Sequence, residues 1–239
     1  ESGLQIKRVP EARAWVNGVF EVRNLRKIDI TSLLGRAVIT LHNPKLEKHF
    51  LNKTILVTGA AGSIGSGLAT ALLQYKAAKL IFLDQAESAL FELEQRFKQL
   101  NNSLHIEYVI GDICDTQRMQ RLFALYQPQI VFHAAAYKHV PLMEANPAEA
   151  IRNNIGGTQL LAQLAAQHQA EQFIMISTDK AVNPTNVMGA SKRIAEMLVS
   201  ELDTNEQTAY VTTRFGNVLG SNGSVIPLFE KQIANGGPI

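Results

Sequence analysis

Residues 175–193 read MISTDKAVNPTNVMGASKR and concentrate groups that can hold or move a proton. Asp179 and Lys180 set a carboxyl beside an amine, the donor and acceptor types that general acid–base chemistry needs. Thr178 adds a hydroxyl, intrinsically a very poor base. Lys192 follows Met188 by four residues, so on a helix the two share a face one turn apart. An ammonium there raises the local positive potential and depresses the pKa of a nearby proton acceptor. Met188 offers only a thioether, which holds no transferable proton. A plainer reading stands beside this one. Asp179 and Lys180 would be a surface ion pair, Thr178 a residue leading into a helix, and NPTN (183–186) a turn whose Asn186 caps a helix over 187–202.

A second constellation lies upstream. The apolar run TILVTG leads straight into Gly59-Ala-Ala-Gly62-Ser63-Ile64-Gly65 and a helical stretch. Gly59 allows a tight turn, Gly62 lets the backbone approach a pyrophosphate at the start of the helix that Ser63 and Ile64 open, and Gly65 lets helix and strand pack closely. Asp84 ends the next apolar run, where a carboxylate can bind the ribose hydroxyls of an adenosine. An acid there repels a 2′-phosphate, so NAD is favoured over NADP. Asp112, followed by Ile113, is placed to reach the adenine amino group, and Ala134, Ala135 and Ala136 form a small-residue turn after a fourth run. The alternative is a glycine-rich turn in a flavodoxin-like fold with no dinucleotide.

These residues need strand ends to stand on, and the pattern supplies them. From residue 53 onward, strands 54–59, 79–84, 105–112, 129–135, 172–178 and 209–215 alternate with helices 63–76, 86–100, 116–126, 147–168 and 187–202. That alternation predicts an α/β fold of the Rossmann type, a doubly wound parallel sheet with ligands at the carboxyl ends of its strands. Residues 1–50 mix short apolar pairs with Pro10, Pro44 and scattered arginines. They are predicted to be an extension packing on a main domain of residues 51–239.

Composition excludes several classes. Of 239 residues, 46% are hydrophobic and 18% charged, the profile of an ordinary globular protein. A net charge of +2 gives no argument for nucleic acid. Residues 1–50 nevertheless hold nine Lys/Arg against five Asp/Glu, an excess that suits either a segment near anionic lipid or a solvated face. The single Cys114 excludes an internal disulfide and fits a reducing compartment. No apolar run approaches the ~18 residues of a membrane span and no signal peptide opens the chain, so a soluble, cytoplasmic chain is expected. The histidines are scattered and the cysteine has no partner, so no metal site is expected.

VTGAAGSIGS, HAAAYKHVPLME, STDKAVNPTNVMGASKR and RFGNVLGSNGSVIPLF together resemble the CapD-like polysaccharide biosynthesis branch of extended short-chain dehydrogenases/reductases, over about four-fifths of the chain. Its best-known members are UDP-N-acetylglucosamine 4,6-dehydratases. The resemblance implies bound NAD, a UDP-sugar substrate, and Asp179 as acid and Lys180 as base at C5. The family usually carries Tyr-x-x-x-Lys where this chain has Met188 and Lys192. Members with methionine there exist, and in them the threonine of the Ser-Thr-Asp-Lys segment takes the C4 hydroxyl, which points to Thr178. Lys192 would then hydrogen-bond the nicotinamide ribose.

The resemblance also places a nucleotide-sugar segment at about 214–239, with Asn217 on a phosphate and Val225, in SVIPLF, on the wall of a uridine pocket. Lys138 and His139 are expected to line the cleft, Tyr137 to join the core, and Arg214 to serve the sugar or the strand. Asn153 or Asn154 is expected to bridge helix backbone to the active-site strand. Family members continue into further substrate-binding elements and a lid, so cofactor binding is expected intact here and substrate binding weakened. They commonly self-associate, and longer ones carry a membrane-spanning N-terminal region, so a membrane-anchored parent facing the cytoplasm is expected. Two other readings stay open. One is a 4- or 5-epimerase of the same nucleotide sugar, although a simple 4-epimerase has no need of a C5 base. The other is a non-catalytic NAD-binding module.

Overall fold

The structure, a computed structural model, describes residues 7–8, 26–27, 44–100, 104–202 and 207–216, together with 218, 229, 232, 235, 236 and 238. They fall into two units. One holds a short antiparallel ladder, β1 (Lys7–Arg8) with β2 (Arg26–Lys27), in which Lys7 stands opposite Lys27 and Arg8 opposite Arg26. The other, within residues 42–222, holds the sheet.

That sheet has six parallel strands. In chain order they are β3 (Thr54–Thr58), β4 (Lys79–Asp84), β5 (Ile106–Ile110), β6 (Ile130–His133), β7 (Gln172–Thr178) and β8 (Ala209–Phe215). Their spatial order is β5-β4-β3-β6-β7-β8, so the direction of winding reverses between β3 and β6. Helices on both faces explain why the central strands read as unbroken apolar runs. Successive residues of β3 serve opposite cores. Ile55 and Val57 pack with Leu80, Phe82, Phe97 and Tyr75, while Leu56 packs with Ile81, Met119, Phe123 and Phe173 on the other side. Strand β7 alternates instead, burying Phe173, Met175 and Ser177.

The helices are α1 (Pro44–Phe50), α2 (Ser63–Leu72), α3 (Glu87–Gln99), α4 (Thr116–Tyr126), α5 (Val140–Ala145), α6 (Pro147–Ala150), α7 (Thr158–Gln167) and α8 (Val187–Leu202). Phe50 ends α1 and sets its ring edge-on to Tyr75, with centroids 5.1 Å apart. Helix α2 stops at Leu72 rather than running to residue 76, the chain tightening there through bonds from the Leu73 amide to Thr70 and from the Tyr75 amide to Leu72. The stretch read as one helix over 147–168 is interrupted by a π-helical turn, Ile151–Gly157. The extra residue in that turn brings Asn153 and Asn154 both into the interior. Among the described residues, no helix is long and apolar enough to cross a membrane.

Candidate active site

The winding reversal opens a cleft of about 230 Å³ above β3 and β6, where such folds bind ligands. Gly59 turns the chain with φ +65°, and a Cβ there would stand 2.5 Å from the Ala135 backbone nitrogen. Gly65 lies against the Gly59 carbonyl, where a Cβ would come within 2.0 Å of the oxygen. Helix α2 begins at Gly62 without a side-chain cap, and its first residues are Ser63 and Ile64. Asp84 accepts the Ala61 amide on Oδ2 and the Ala86 amide on Oδ1, each at 2.9 Å. Gly59, Gly62, Asp84, Ile113 and Ala134–Ala136 all line the cleft. So does Asn153, a residue absent from the expected cofactor set, and its buried Oδ1 has no hydrogen-bond partner among the described residues.

Asp112 is not among the residues that line this cleft, although its neighbours Gly111 and Ile113 are. Its Oδ1 accepts the Cys114 amide at 2.8 Å and its Oδ2 takes Arg152 Nη2 at 2.6 Å, so both oxygens are engaged within the protein. Burial raises the carboxyl's pKa, but the Cys114 and Arg152 bonds prevail and hold it below the usual range. Burial, followed by the Asp112 charge, pushes the Cys114 thiol up to about 11, so it stays protonated and unreactive near neutrality.

The proton-handling cluster stands at the end of β7, two strands along from β3 on the same edge of the sheet. Thr178 donates to Asp179 Oδ1 at 2.9 Å and accepts the Lys180 amide at 3.3 Å, capping a single 3₁₀ turn, Asp179–Ala181. Lys180 Nζ donates to the same Oδ1 at 3.1 Å, with the Asp179 and Lys180 side chains 55% and 40% exposed. The three polar side chains therefore form one connected unit that solvent reaches. The bond from Lys180, then that from Thr178, holds the Asp179 carboxyl below its ordinary range.

Helix α8 carries Met188 and Lys192 inward. Asn186 Oδ1 accepts the Gly189 amide at 2.8 Å, so the expected helix cap forms, and Glu144 accepts the Val187 amide at 2.6 Å. Met188 is 4% exposed, packed in a small apolar cluster with Met143, Ala150, Val140 and Tyr137. Its surroundings are those of a core residue. Lys192 is equally buried, and burial lowers its pKa to about 8 although Glu196 raises it. Glu196, one turn on, takes Arg214 at 2.9 and 2.7 Å, Ser177 at 2.6 Å and Arg193 at 3.2 Å. Arg214 thus ties the end of β8 to α8. No local pattern flagged Glu196, because its partners Ser177 and Arg214 each lie 18 or more positions away in sequence.

Asn154 also departs from expectation. Its side chain accepts the Tyr137 amide at 2.8 Å, donates to the Tyr137 carbonyl at 3.0 Å and reaches Ser191 Oγ at 3.0 Å, tying the loop after β6 to α8 rather than to β7. Beneath it, His133 is fully buried between Thr58 and Thr158, each at 2.8 Å. The Thr158 hydroxyl donates to the Asn154 carbonyl, so it must receive from Nε2–H, and Nδ1 accepts from Thr58. Burial, then the Lys192 charge, lowers the His133 pKa to about 3, which keeps the ring neutral.

Lys138 and His139 do not line the cleft. The lining of the cleft ends at Tyr137 in this loop, and both are exposed where His139 starts α5. Asn217 and Val225 lie outside the described residues. Among those residues, no group of His, Cys, Asp and Glu is arranged to hold a metal ion.

Residues 55–239 match the polysaccharide biosynthesis protein family. The chain is 46% identical over 239 residues to the capsular polysaccharide biosynthesis protein CapD of Staphylococcus aureus, covering 99% of this chain and 40% of that protein. It is 41% identical over 191 residues to a UDP-N-acetylglucosamine 4,6-dehydratase (inverting) of Campylobacter jejuni, covering 78% of this chain and 55% of that enzyme. A solved structure, UDP-glucose 4-epimerase from Brucella ovis in complex with NAD, superposes with a TM-score of 0.59 at 28% identity, covering 69% of this chain and 52% of that one. The chain thus spans about half the length of the proteins it matches.

Proposed function

Since the chain belongs to the polysaccharide biosynthesis protein family, we propose that it is a nucleotide-sugar-modifying enzyme using a bound nicotinamide dinucleotide, and specifically a UDP-N-acetylglucosamine 4,6-dehydratase. The observation that carries the dehydratase reading is the hydrogen-bonded unit of Thr178, Asp179 and Lys180 at the end of β7. It joins a hydroxyl, a carboxyl and an amine, the groups that dehydration asks for and that the Campylobacter enzyme's likeness supports.

The cleft fits the cofactor. A backbone without room for a Cβ at Gly59, an uncapped helix start at Gly62 and a carboxylate at Asp84 suit a pyrophosphate and an adenosine ribose. On this reading Asp84 would meet the adenosine ribose, where a carboxylate opposes a 2′-phosphate and so favours NAD over NADP. Lys192 is the residue proposed to meet the nicotinamide ribose. The bound dinucleotide would supply the hydride acceptor, and later the donor, for the sugar.

The chain's own residues then manage protons. In the Asp179–Lys180 pair the bond from Lys180 holds the carboxyl below its ordinary range, in its ionised form. Dehydration needs the reverse, a neutral amine to take the C5 proton and a protonated carboxyl to release the C6 hydroxyl as water. Moving one proton across the 3.1 Å bond, from Lys180 Nζ to Asp179 Oδ1, creates both states together. Covering the pair with substrate favours that transfer, because desolvation penalises separated charges more than neutral groups. Lys180 then accepts the C5 proton while Asp179 gives its proton to the departing oxygen, which restores the ion pair. Lys180 finally returns a proton to C5. Thr178 is assigned to the C4 hydroxyl, its proton passing onward to water.

A 4-epimerase is the second reading, favoured by the likeness to the Brucella enzyme. Incubating the purified protein with UDP-N-acetylglucosamine separates the two. Dehydration predicts loss of one water by mass spectrometry and a new C6 methyl signal by NMR. An isomer of unchanged mass would overturn dehydration and leave epimerisation.

A further inference from the structure

The interior of the site holds a charged group that the scheme above does not use. Glu196 is 5% exposed, lies one helical turn beyond Lys192, and faces the same side of α8. Its carboxylate is anchored from three elements: by Arg214 of β8 through two nitrogens, by Ser177 of β7 next to Thr178, and by Arg193 of α8 itself. Held from three elements, the carboxylate has a fixed place on the face of α8 that also carries Lys192.

We infer that Glu196 is a positioning residue whose anchored carboxylate supplies a fixed counter-charge one helical turn from the buried Lys192 side chain and ties the strand end carrying Thr178–Lys180 to α8. The consequence for cofactor binding rests on the reading of Lys192 under Proposed function; the effect on Lys192 itself does not. Among the described residues, the charged and titratable groups near the ammonium are few. His133 faces it from β6 and is neutral. Glu196 contributes the favourable charge, and Arg193 and Arg214 stand behind it. Burial lowers the Lys192 pKa to about 8, close enough to physiological pH that losing one counter-charge changes the protonation state. Replacing Glu196 by a neutral group removes that charge and leaves two guanidinium groups uncompensated, both acting against the ammonium.

The test follows the Lys192 side chain directly, by NMR titration of protein labelled at lysine Cε, with Lys192→Met used to assign the signal. The native protein is expected to titrate near pH 8. Glu196→Gln should lower the midpoint by about one unit or more. Glu196→Asp, which keeps the charge, should fall between the two, and Ser177→Ala, which removes a bond but no charge, should stay at the native value. If Glu196→Gln does not fold, Glu196→Met/Arg214→Met removes both partners together and should still lower the midpoint, by less. In each folded variant, the pH at which NAD affinity is lost should move with the Lys192 midpoint. An unchanged midpoint in Glu196→Gln, or an equal shift in Ser177→Ala, would overturn the inference by showing a structural role alone. A shifted midpoint in a protein that binds no NAD would uphold the inference and refute the cofactor reading instead.

Discussion

Asp84 reaches back across the glycine turn to the Ala61 amide, its Oδ2 2.9 Å from that nitrogen, while its Oδ1 takes the Ala86 amide. The carboxylate therefore fixes two loops of the cleft with one lone pair on each oxygen, and those two bonds leave further acceptor capacity on both oxygens. Asp84→Asn turns an N–H₂ toward one of those amides and leaves a donor unsatisfied, at roughly 1–3 kcal/mol. It also removes the negative charge that opposes a 2′-phosphate. Calorimetric titration should show NAD affinity falling roughly tenfold, the equivalent of 1.4 kcal/mol, with NADP affinity unchanged or raised. Equal losses for both dinucleotides would show that Asp84 does not discriminate between them.

Met188 is enclosed by Met143, Ala150, Val140 and Tyr137, with 4% of its surface exposed. Truncation to alanine leaves a cavity at a packed helix start, and large-to-small core changes of this kind cost about 2–5 kcal/mol. In a domain of this size that lowers the melting temperature by about 2–4 °C per kcal/mol. Turnover by Met188→Ala, measured below its melting transition, should stay within a few-fold of native. A large loss of turnover at unchanged stability would mean that the thioether acts in the chemistry and not in packing.

The acid stability of the fold should depend on Glu196. Burial raises its pKa, but the Arg214, Ser177 and Arg193 bonds outweigh this and bring it to about 2, from an ordinary 4.5. A carboxylate depressed by folding stabilises at pH above its unfolded value, and that stabilisation fades as pH falls through the folded one. The native protein should therefore lose stability between about pH 4.5 and 2 through this group. With Arg214 half exposed to solvent, the effect should be on the order of 2 kcal/mol. Glu196→Gln, if less stable at neutral pH, should show a flatter denaturation midpoint across that window. Parallel curves would place the acid sensitivity elsewhere.

How far the sequence revealed this molecule follows from how local each feature is. The sheet was legible because buried parallel strands are written as unbroken apolar runs, KLIFLD among them, and the glycine turn because its spacing is set by one strand and one helix. Thr178, Asp179 and Lys180 were legible for the same reason, being consecutive. The π-helical turn at Ile151–Gly157 was not, since one extra residue per turn leaves composition and approximate periodicity intact. The setting of Met188 depends on Met143 and Ala150, and the role of Glu196 on Ser177 and Arg214, pairings that only the folded chain brings together. The bond between Asp112 and Arg152 was not legible either, because the two lie 40 positions apart.

The division of labour between Asp179 and Lys180 can be separated by isotope exchange. If Lys180 is the base at C5, Lys180→Met should neither dehydrate UDP-N-acetylglucosamine nor exchange its C5 hydrogen with deuterated solvent. Asp179→Asn retains the amine but has no acid for the C6 oxygen. It should dehydrate at least a hundredfold more slowly, at the upper end of what general acid catalysis contributes, roughly 10²–10⁴-fold. It should still place deuterium at C5 of recovered substrate once the C4 position has been oxidised. Asparagine cannot receive the proton that Lys180 must shed across the 3.1 Å bond, so its exchange should be slower than that of the native protein, in which that bond supplies the neutral amine internally. Mass spectrometry of recovered substrate and product distinguishes these cases. Equal exchange in both proteins would refute the internal transfer, and exchange persisting in Lys180→Met would remove Lys180 from the role of base.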